Sequence, residues 1–243
     1  MNTNTKKPGG SSYGKHLIQF REKGTVSYTP YNKYFFEAAE LKGLLYTLPE
    51  LTKEIPGIFD NPALPLVIDV GCYWGQTVIE LAKHNRGINI LGLDIKYKRV
   101  VKSCRKIIKE KLTNAKIALC DVQEVLPILP KNWLYGMFVF FPDPWIKVRH
   151  EKHRYLNERF FSEVSSKLSD QGFIWLKTDH KEYFDETITI AEKYNFSIID
   201  RLPGKIAQRE YKTSFEDLFT RQNKPIFQLC LRIPAGGQTF EKV

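Results

Sequence analysis

The chain is predicted to fold as an α/β domain, a mostly parallel sheet with helices on both faces. Three observations predict it. Short apolar runs alternate with amphipathic stretches at helical spacing, the pattern of βαβ units. The strongest runs are β-branched and uninterrupted, as in Leu66-Val67-Ile68-Asp69-Val70, which suits strands buried on both faces. The 243 residues, 42% of them apolar, fill one such domain and are tight for two.

The elements follow in order. Residues 1–30 are polar and basic with little periodicity, and read as a flexible arm ahead of a single domain over 31–243. A weakly amphipathic segment spans 34–48, and Pro56, Pro62 and Pro65 close it. The first strand covers 66–70, and Gly71 to Gly75 turns it into a helix over 76–83. A strand over 88–94 leads to a long helix over 97–112. Its apolar stripe is Tyr97, Val100, Val101, Cys104, Ile107, Ile108 and Leu112. Strands follow at 116–120 and 137–141, the latter stopped by Pro142-Asp143-Pro144. A helix at 156–168, a strand at 173–178 and a helix at 181–194 continue the alternation. Strands at 197–200 and 226–232 flank a polar stretch and bring the strand count to seven.

The net charge of +10 is unevenly spread. Residues 96–116 hold nine Lys or Arg against one Glu. Such segregation suits a face for a polyanion such as nucleic acid, although charge of this kind also confers plain solubility. The longest apolar run, 134–142, is nine residues, whereas a membrane-spanning helix needs about 20. No N-terminal apolar block resembles a signal peptide. Cys72, Cys104, Cys120 and Cys230 lack C-x-x-C spacing, so no zinc signature is present and no metal is expected. A soluble protein of the reducing cytoplasm is the expectation.

In sheets of this kind ligands bind beyond the carboxyl ends of the strands, so chemistry is sought there. The first strand runs into Asp69-x-Gly71-x-x-x-Gly75, a turn that lets the backbone approach a ligand. It is not the dinucleotide G-x-G-x-x-G, which removes the support for a nicotinamide-dependent dehydrogenase. Asp94 follows the second strand, where a carboxylate accepts both hydroxyls of a ribose. Asp121 follows the third, within reach of an adenine amino group. Either acid read alone is equally a helix N-cap. Together they suit a cofactor with an adenosine and a positive centre, and S-adenosylmethionine has both. After the fourth strand, two prolines stiffen the loop presenting Asp143, and four cations and two histidines follow within eleven residues.

The run PDPWIKVRHEKHR, 142–154, resembles the hallmark of the tRNA (guanine-N7-)-methyltransferases. The resemblance continues through Leu176-Lys-Thr-Asp179 and Thr213-Ser-Phe-Glu216 and covers roughly 31–233. It implies the Rossmann-like fold of class I S-adenosylmethionine-dependent methyltransferases, and methyl transfer to N7 of a guanine in tRNA, guanine 46 of the variable loop. It puts Asp69, Gly71, Asp94 and Asp121 at cofactor positions and Asp143 at the catalytic position. Lys147, Asp179, Thr213 and Glu216 fall at substrate positions. The partner is then tRNA and no membrane, in a monomer or homodimer, with a separate protein partner also open.

This sequence departs from the family's G-x-G-x-G turn at Tyr73. It shortens the family's Glu to Asp at 69 and 94, and carries Asn223 for a late glycine. A Tyr73 side chain crowding the cofactor would make the chain a non-catalytic RNA-binding relative, the alternative reading. Guanine N7 carries an in-plane lone pair and no proton, so Asp143 is expected to orient the base and stabilise developing charge rather than remove a proton. Lys147, Arg149, Lys152 and Arg154 are expected on RNA phosphates. His150 and His153 are expected to stack on or bond to RNA, or to be plain surface residues.

Overall fold

The computed structural model describes residues 41–144, 154–200, 206 and 211–234. The basic arm therefore lies outside the described residues, as do Lys147, Arg149, His150, Lys152 and His153. The elements in order are β1 (Leu45–Thr47), α1 (Leu48–Glu54), β2 (Leu66–Val70), α2 (Gln76–His84), β3 (Asn89–Asp94), α3 (Tyr97–Lys109), β4 (Ala115–Leu119) and α4 (Val122–Val125). Then follow β5 (Leu134–Phe140), α5 (Glu158–Ser165), β6 (Leu168–Thr178), α6 (Lys181–Lys193), β7 (Ser197–Ile199), α7 (Ser214–Arg221) and β8 (Phe227–Arg232).

The strands form one sheet in the order β1-β4-β3-β2-β5-β6-β8-β7. Neighbours are parallel from β1 through β6, and β8 runs antiparallel to both β6 and β7. All five residues of β2 are buried, as its apolar run predicts. Alternate residues divide between two cores. Ile68, Met137 and Val139 pack with Phe160, Phe161 and Tyr183 on one side. Val67, Phe138 and Phe173 pack with Val78, Val100 and Cys104 on the other.

Four differences from the sequence reading have physical causes. The sheet has eight strands, because the three-residue edge strand β1 pairs with β4 inside the segment expected to be weakly helical. The polar stretch before the last strand contains α7, a short helix whose apolar residues are only Phe215, Leu218 and Phe219, none of them fully buried. Helix α3 stops at Lys109, because Lys111 turns left-handed (φ 52°) and Leu112 donates back to the Ile107 carbonyl at 3.1 Å. Ile108, expected in the buried stripe, is 54% exposed. Among the described residues no helix is long and apolar enough to cross a membrane.

The chain runs from β2 outward to β3 and β4, then returns to place β5 on the other side of β2. This reversal leaves a crevice at the carboxyl ends of β2 and β5, where open α/β sheets bind ligands.

Candidate active site

A cleft of about 200 Å³ opens at that crevice. Asp69, Gly71, Asp94, Asp121, Asp143 and Thr213 all line it, so the five positions assigned to cofactor and catalysis converge there with one substrate position. Gly71 has φ 69°, and a Cβ on it would meet no atom within 4 Å, so the turn leaves open space facing the cleft. Gly75 is required for the opposite reason: a Cβ would stand 2.8 Å from the Ser103 side chain, so α3 packs directly on the turn.

Asp94, 3% exposed, is held from three sides. Its Oδ2 accepts from the Tyr73 N–H at 3.1 Å and from Arg99 Nη1 at 3.5 Å, and its Oδ1 from the Lys96 N–H at 2.8 Å. Burial raises its pKa, and these donors oppose the rise. Asp69 is equally buried, and burial first and the Asp94 charge second push its pKa up to about 8. Asp121 does cap a helix, its Oδ1 accepting from the Gln123 N–H at 2.9 Å, and it also lines the cleft. Cys72 and Cys120 line the cleft too, but burial raises both thiols far from their reactive range.

A cationic group entering the cleft would favour loss of the Asp69 proton and pair with the resulting carboxylate. The residues present therefore fit S-adenosylmethionine, whose sulfonium and ammonium are both positive. Asp69, Asp94 and Asp121 all line the cleft and supply the acids that such a molecule calls for.

Tyr73 keeps the left-handed conformation that the family's glycine would take, with φ 52°. Its ring is part of the cleft wall. It lies 5.1 Å from the Phe215 ring of α7, and the Arg99 guanidinium stands 4.5 Å from its centre. Asn223 replaces the other glycine and also takes φ 52°, ending α7 through a Lys224 N–H bond to the Phe219 carbonyl at 3.0 Å.

Exposed Asp143 sits on a loop braced from behind. Arg154 Nε donates to the Pro144 carbonyl at 2.9 Å, Nη1 pairs with Glu186, and the guanidinium lies 5.6 Å from the Tyr183 ring centre. Arg154 is only 8% exposed. It is thus a strut for the Asp143 loop and not the phosphate contact that its place in a basic run suggests.

The remaining substrate positions are tied together. Thr213 Oγ1 accepts from the Glu216 N–H at 3.1 Å and caps α7. The T-x-x-E spacing is that of a capping box, yet the Glu216 carboxylate turns to Lys177 Nζ at 2.8 Å. Lys177, 1% exposed, also donates to the Tyr211 carbonyl at 2.9 Å. Asp179 lies 3.7 Å from Lys224 Nζ. Lys147 lies outside the described residues.

Sequence reasoning missed Lys177, Arg99, Phe215 and Tyr155. The half-buried Tyr155 lines the cleft, and burial together with Asp121, Asp143 and Asp94 raises its phenol pKa. Lys177 had a sequence signal as a lone cation at the end of an apolar strand, and Phe215 stands inside the Thr213-Ser-Phe-Glu216 run.

The strand order and the cleft are those of the class I methyltransferases. An antibiotic-related methyltransferase of known structure superposes with a TM-score of 0.53 at 20% identity, over 75% of this chain and 92% of that one. A family described as putative methyltransferase matches residues 63–229. The tRNA (guanine-N(7)-)-methyltransferase of Dechloromonas aromatica is 29% identical over 227 residues, 92% of this chain and 90% of that protein. The enzyme of that name from Alkaliphilus oremlandii is 32% identical over 188 residues, 76% and 89% of the two chains. The chain belongs to the tRNA (guanine-N7-)-methyltransferase family.

Three outcomes are expected of this geometry. The Asp69 pKa is raised on folding, so this group withdraws stability from the ligand-free protein as pH rises from about 4 to 8. A cationic ligand gains affinity over the same interval. Calorimetry with S-adenosylmethionine in buffers of different ionisation enthalpy should register proton release near neutral pH. Asp69→Asn should abolish it, and unchanged release in that variant would assign the proton elsewhere.

Tyr73→Gly removes the wall but relieves about 1–2 kcal/mol of left-handed backbone strain. Cofactor affinity and activity should fall while the melting temperature changes little. Tighter cofactor binding in this variant would show that the ring obstructs.

Glu216→Ala leaves the Lys177 ammonium with one carbonyl acceptor among the described residues. It should cost about 3–5 kcal/mol in denaturant unfolding, the scale for breaking a buried ion pair. A loss under about 1 kcal/mol would place the pair in the class of surface bridges.

Proposed function

We propose that this protein transfers the methyl group of S-adenosylmethionine to N7 of a guanine in tRNA, with guanine 46 of the variable loop as the target. The observation that carries this reading is the meeting of Asp69, Asp94, Asp121 and Asp143 on one cleft at the strand-order reversal, in a chain of this family. Asp94 takes the ribose hydroxyls, Asp121 the adenine amino group, and Asp69 the positive charge at the methionine end.

When bound, the cofactor supplies an electrophilic methyl group on a sulfonium. The residues of the chain position the base and meet its charge. Asp143 accepts from the guanine N–H edge and faces the positive charge that spreads over the purine during transfer. No general base is required, because N7 has a free lone pair. Arg154 and the two prolines keep Asp143 in place, which is where positional catalysis gains most. Lys147 and its basic neighbours contact phosphates, while Thr213, Asp179 and Glu216 border the RNA.

The alternative of a non-catalytic relative rests on Tyr73 filling the cofactor space. Engagement of that ring by Phe215 and Arg99 argues against it. We take the protein to act in the cytoplasm, as a monomer, as a homodimer or with a separate protein partner.

Incubation with labelled S-adenosylmethionine and bulk tRNA, followed by mapping of the modified base, tests the reading. Transfer to another atom or nucleotide would overturn it. Asp143→Asn should lower turnover by about 10²–10³, the scale of one lost electrostatic contact in the transition state, with cofactor affinity kept. Near-normal turnover would remove Asp143 from the catalytic position.

A further inference from the structure

The glycine turn carries two consecutive aromatic residues, and helix α3 grips both. Lys102 Nζ stands 4.3 Å from the centre of the Trp74 ring, and Lys106 Nζ donates to the Trp74 carbonyl at 2.8 Å. One turn earlier, Arg99 lies over Tyr73, and Ser103 Oγ donates to the Tyr73 carbonyl at 3.3 Å. The two rings meet edge to face at 4.9 Å. Arg99, Lys102 and Lys106 follow one another at three- and four-residue spacing and therefore share a helix face. Over Tyr97–Lys109 the helix carries six Lys or Arg and no acid.

Both rings are half-buried and border the cleft, rather than sitting in either core. Tyr73 also retains a left-handed backbone that a tyrosine adopts only at a cost, a form of strain that clusters at functional sites. A ledge of aromatic rings on a face of one charge sign has the composition of a surface for single-stranded nucleic acid. An acidic peptide would be served by the cations alone and would leave the rings without a role.

We propose that this ledge seats an unpaired nucleotide of the substrate RNA next to the guanine that enters the cleft. Its base stacks on Trp74, and its phosphates lie against Lys102 and Lys106. The inference rests on the reading that the chain methylates a guanine in tRNA. A guanine seated in the cleft with its N–H edge on Asp143 and N7 turned to the methyl donor has left its stack, which deprives its neighbour of a stacking partner. Trp74 restores that partner at the lip of the cleft. The contact tolerates any base, because every base has a π-face.

The test uses the full chain and unmodified tRNA, with binding measured across a salt series and cofactor binding measured separately by calorimetry. Trp74→Ala should weaken tRNA binding about 5- to 100-fold, the range of one lost base–aromatic stack, with the parent's salt slope and cofactor affinity. Trp74→Phe should keep most of the affinity. Trp74→Leu, which preserves apolar bulk without a ring, should lose as much as Trp74→Ala. The double change Lys102→Ala/Lys106→Ala should lower the log–log salt slope by about two, one for each phosphate contact.

Parent-like tRNA affinity in Trp74→Ala overturns the proposal. So does recovery of affinity in Trp74→Leu, which would make the ring a packing element, or a loss of cofactor binding that accounts for the whole defect. These outcomes are separable from failure of the functional reading. A parent that does not methylate tRNA overturns that reading, whereas an active parent with normally binding Trp74 variants overturns the ledge alone.

Discussion

A parallel sheet whose chain reverses direction between two adjacent strands leaves the ends of those strands uncovered, and the site depends on that gap. From β2 the crossing helix leads to β3, and the strand on its other side, β5, arrives only after β4. No crossover helix therefore covers the carboxyl ends of β2 and β5. Backbone and side chains there are free to face a ligand, yet they are rooted in strands buried on both faces. The same geometry explains why acids tolerate such burial. Asp94 sits where the Tyr73 and Lys96 backbone N–H groups and Arg99 point at it, whereas the equally buried Asp69 carries a pKa pushed up to about 8. Acids buried in this way carry an electrostatic cost that a positive ligand relieves.

The walls of the gap are kept by strained backbone and buried cations. Tyr73 and Phe141 flank the cleft, both are left-handed, and both rings reach Phe215, at 5.1 and 6.3 Å. Such conformations cost about 1–3 kcal/mol each and persist only where neighbours over-determine them. Here the Tyr73 N–H is bound to Asp94, and the Phe141 N–H to the Lys177 carbonyl at 2.7 Å. Lys177 then reaches Glu216, and so links the end of β6 to α7, a helix with no buried residue of its own. That helix is docked by one ion pair and by the rings of Phe215 and Phe219, which meet Tyr73 and Phe141.

How legible each part was in the sequence follows from what held it. Strands β2, β3 and β5 are apolar because both faces are covered, and their runs were readable within a few residues. Strand β1 was not, since three edge residues carry no period of their own. Helix α7 was missed because it is eight residues long and its apolar set is only Phe215, Leu218 and Phe219, although its T-x-x-E start was in plain view. The end of α3 was misjudged because Lys111 fills a position usually marked by glycine. The convergence of Asp69, Asp94, Asp121 and Asp143 could be anticipated, because strand ends in this fold class meet at a known edge. The fate of Arg154 could not, because a run of cations in sequence says nothing about which of them turns inward.

That last point changes how the charge should be read. Of the cations near the site, Arg154 and Lys177 are spent inside, one on the Pro144 carbonyl and Glu186, the other on Tyr211 and Glu216. Arg99 divides itself between Asp94 and Tyr73. Exposed Lys102 and Lys106 instead meet a ring face and a backbone carbonyl, which leave their charge uncancelled. The described surface beside the cleft is thus more positive than the cleft itself, which carries buried acid. A cationic small molecule and a polyanion are drawn to adjacent places by opposite signs of one field. In the reading proposed above, methyl donor and guanine meet at the lip between Tyr73 and Asp143.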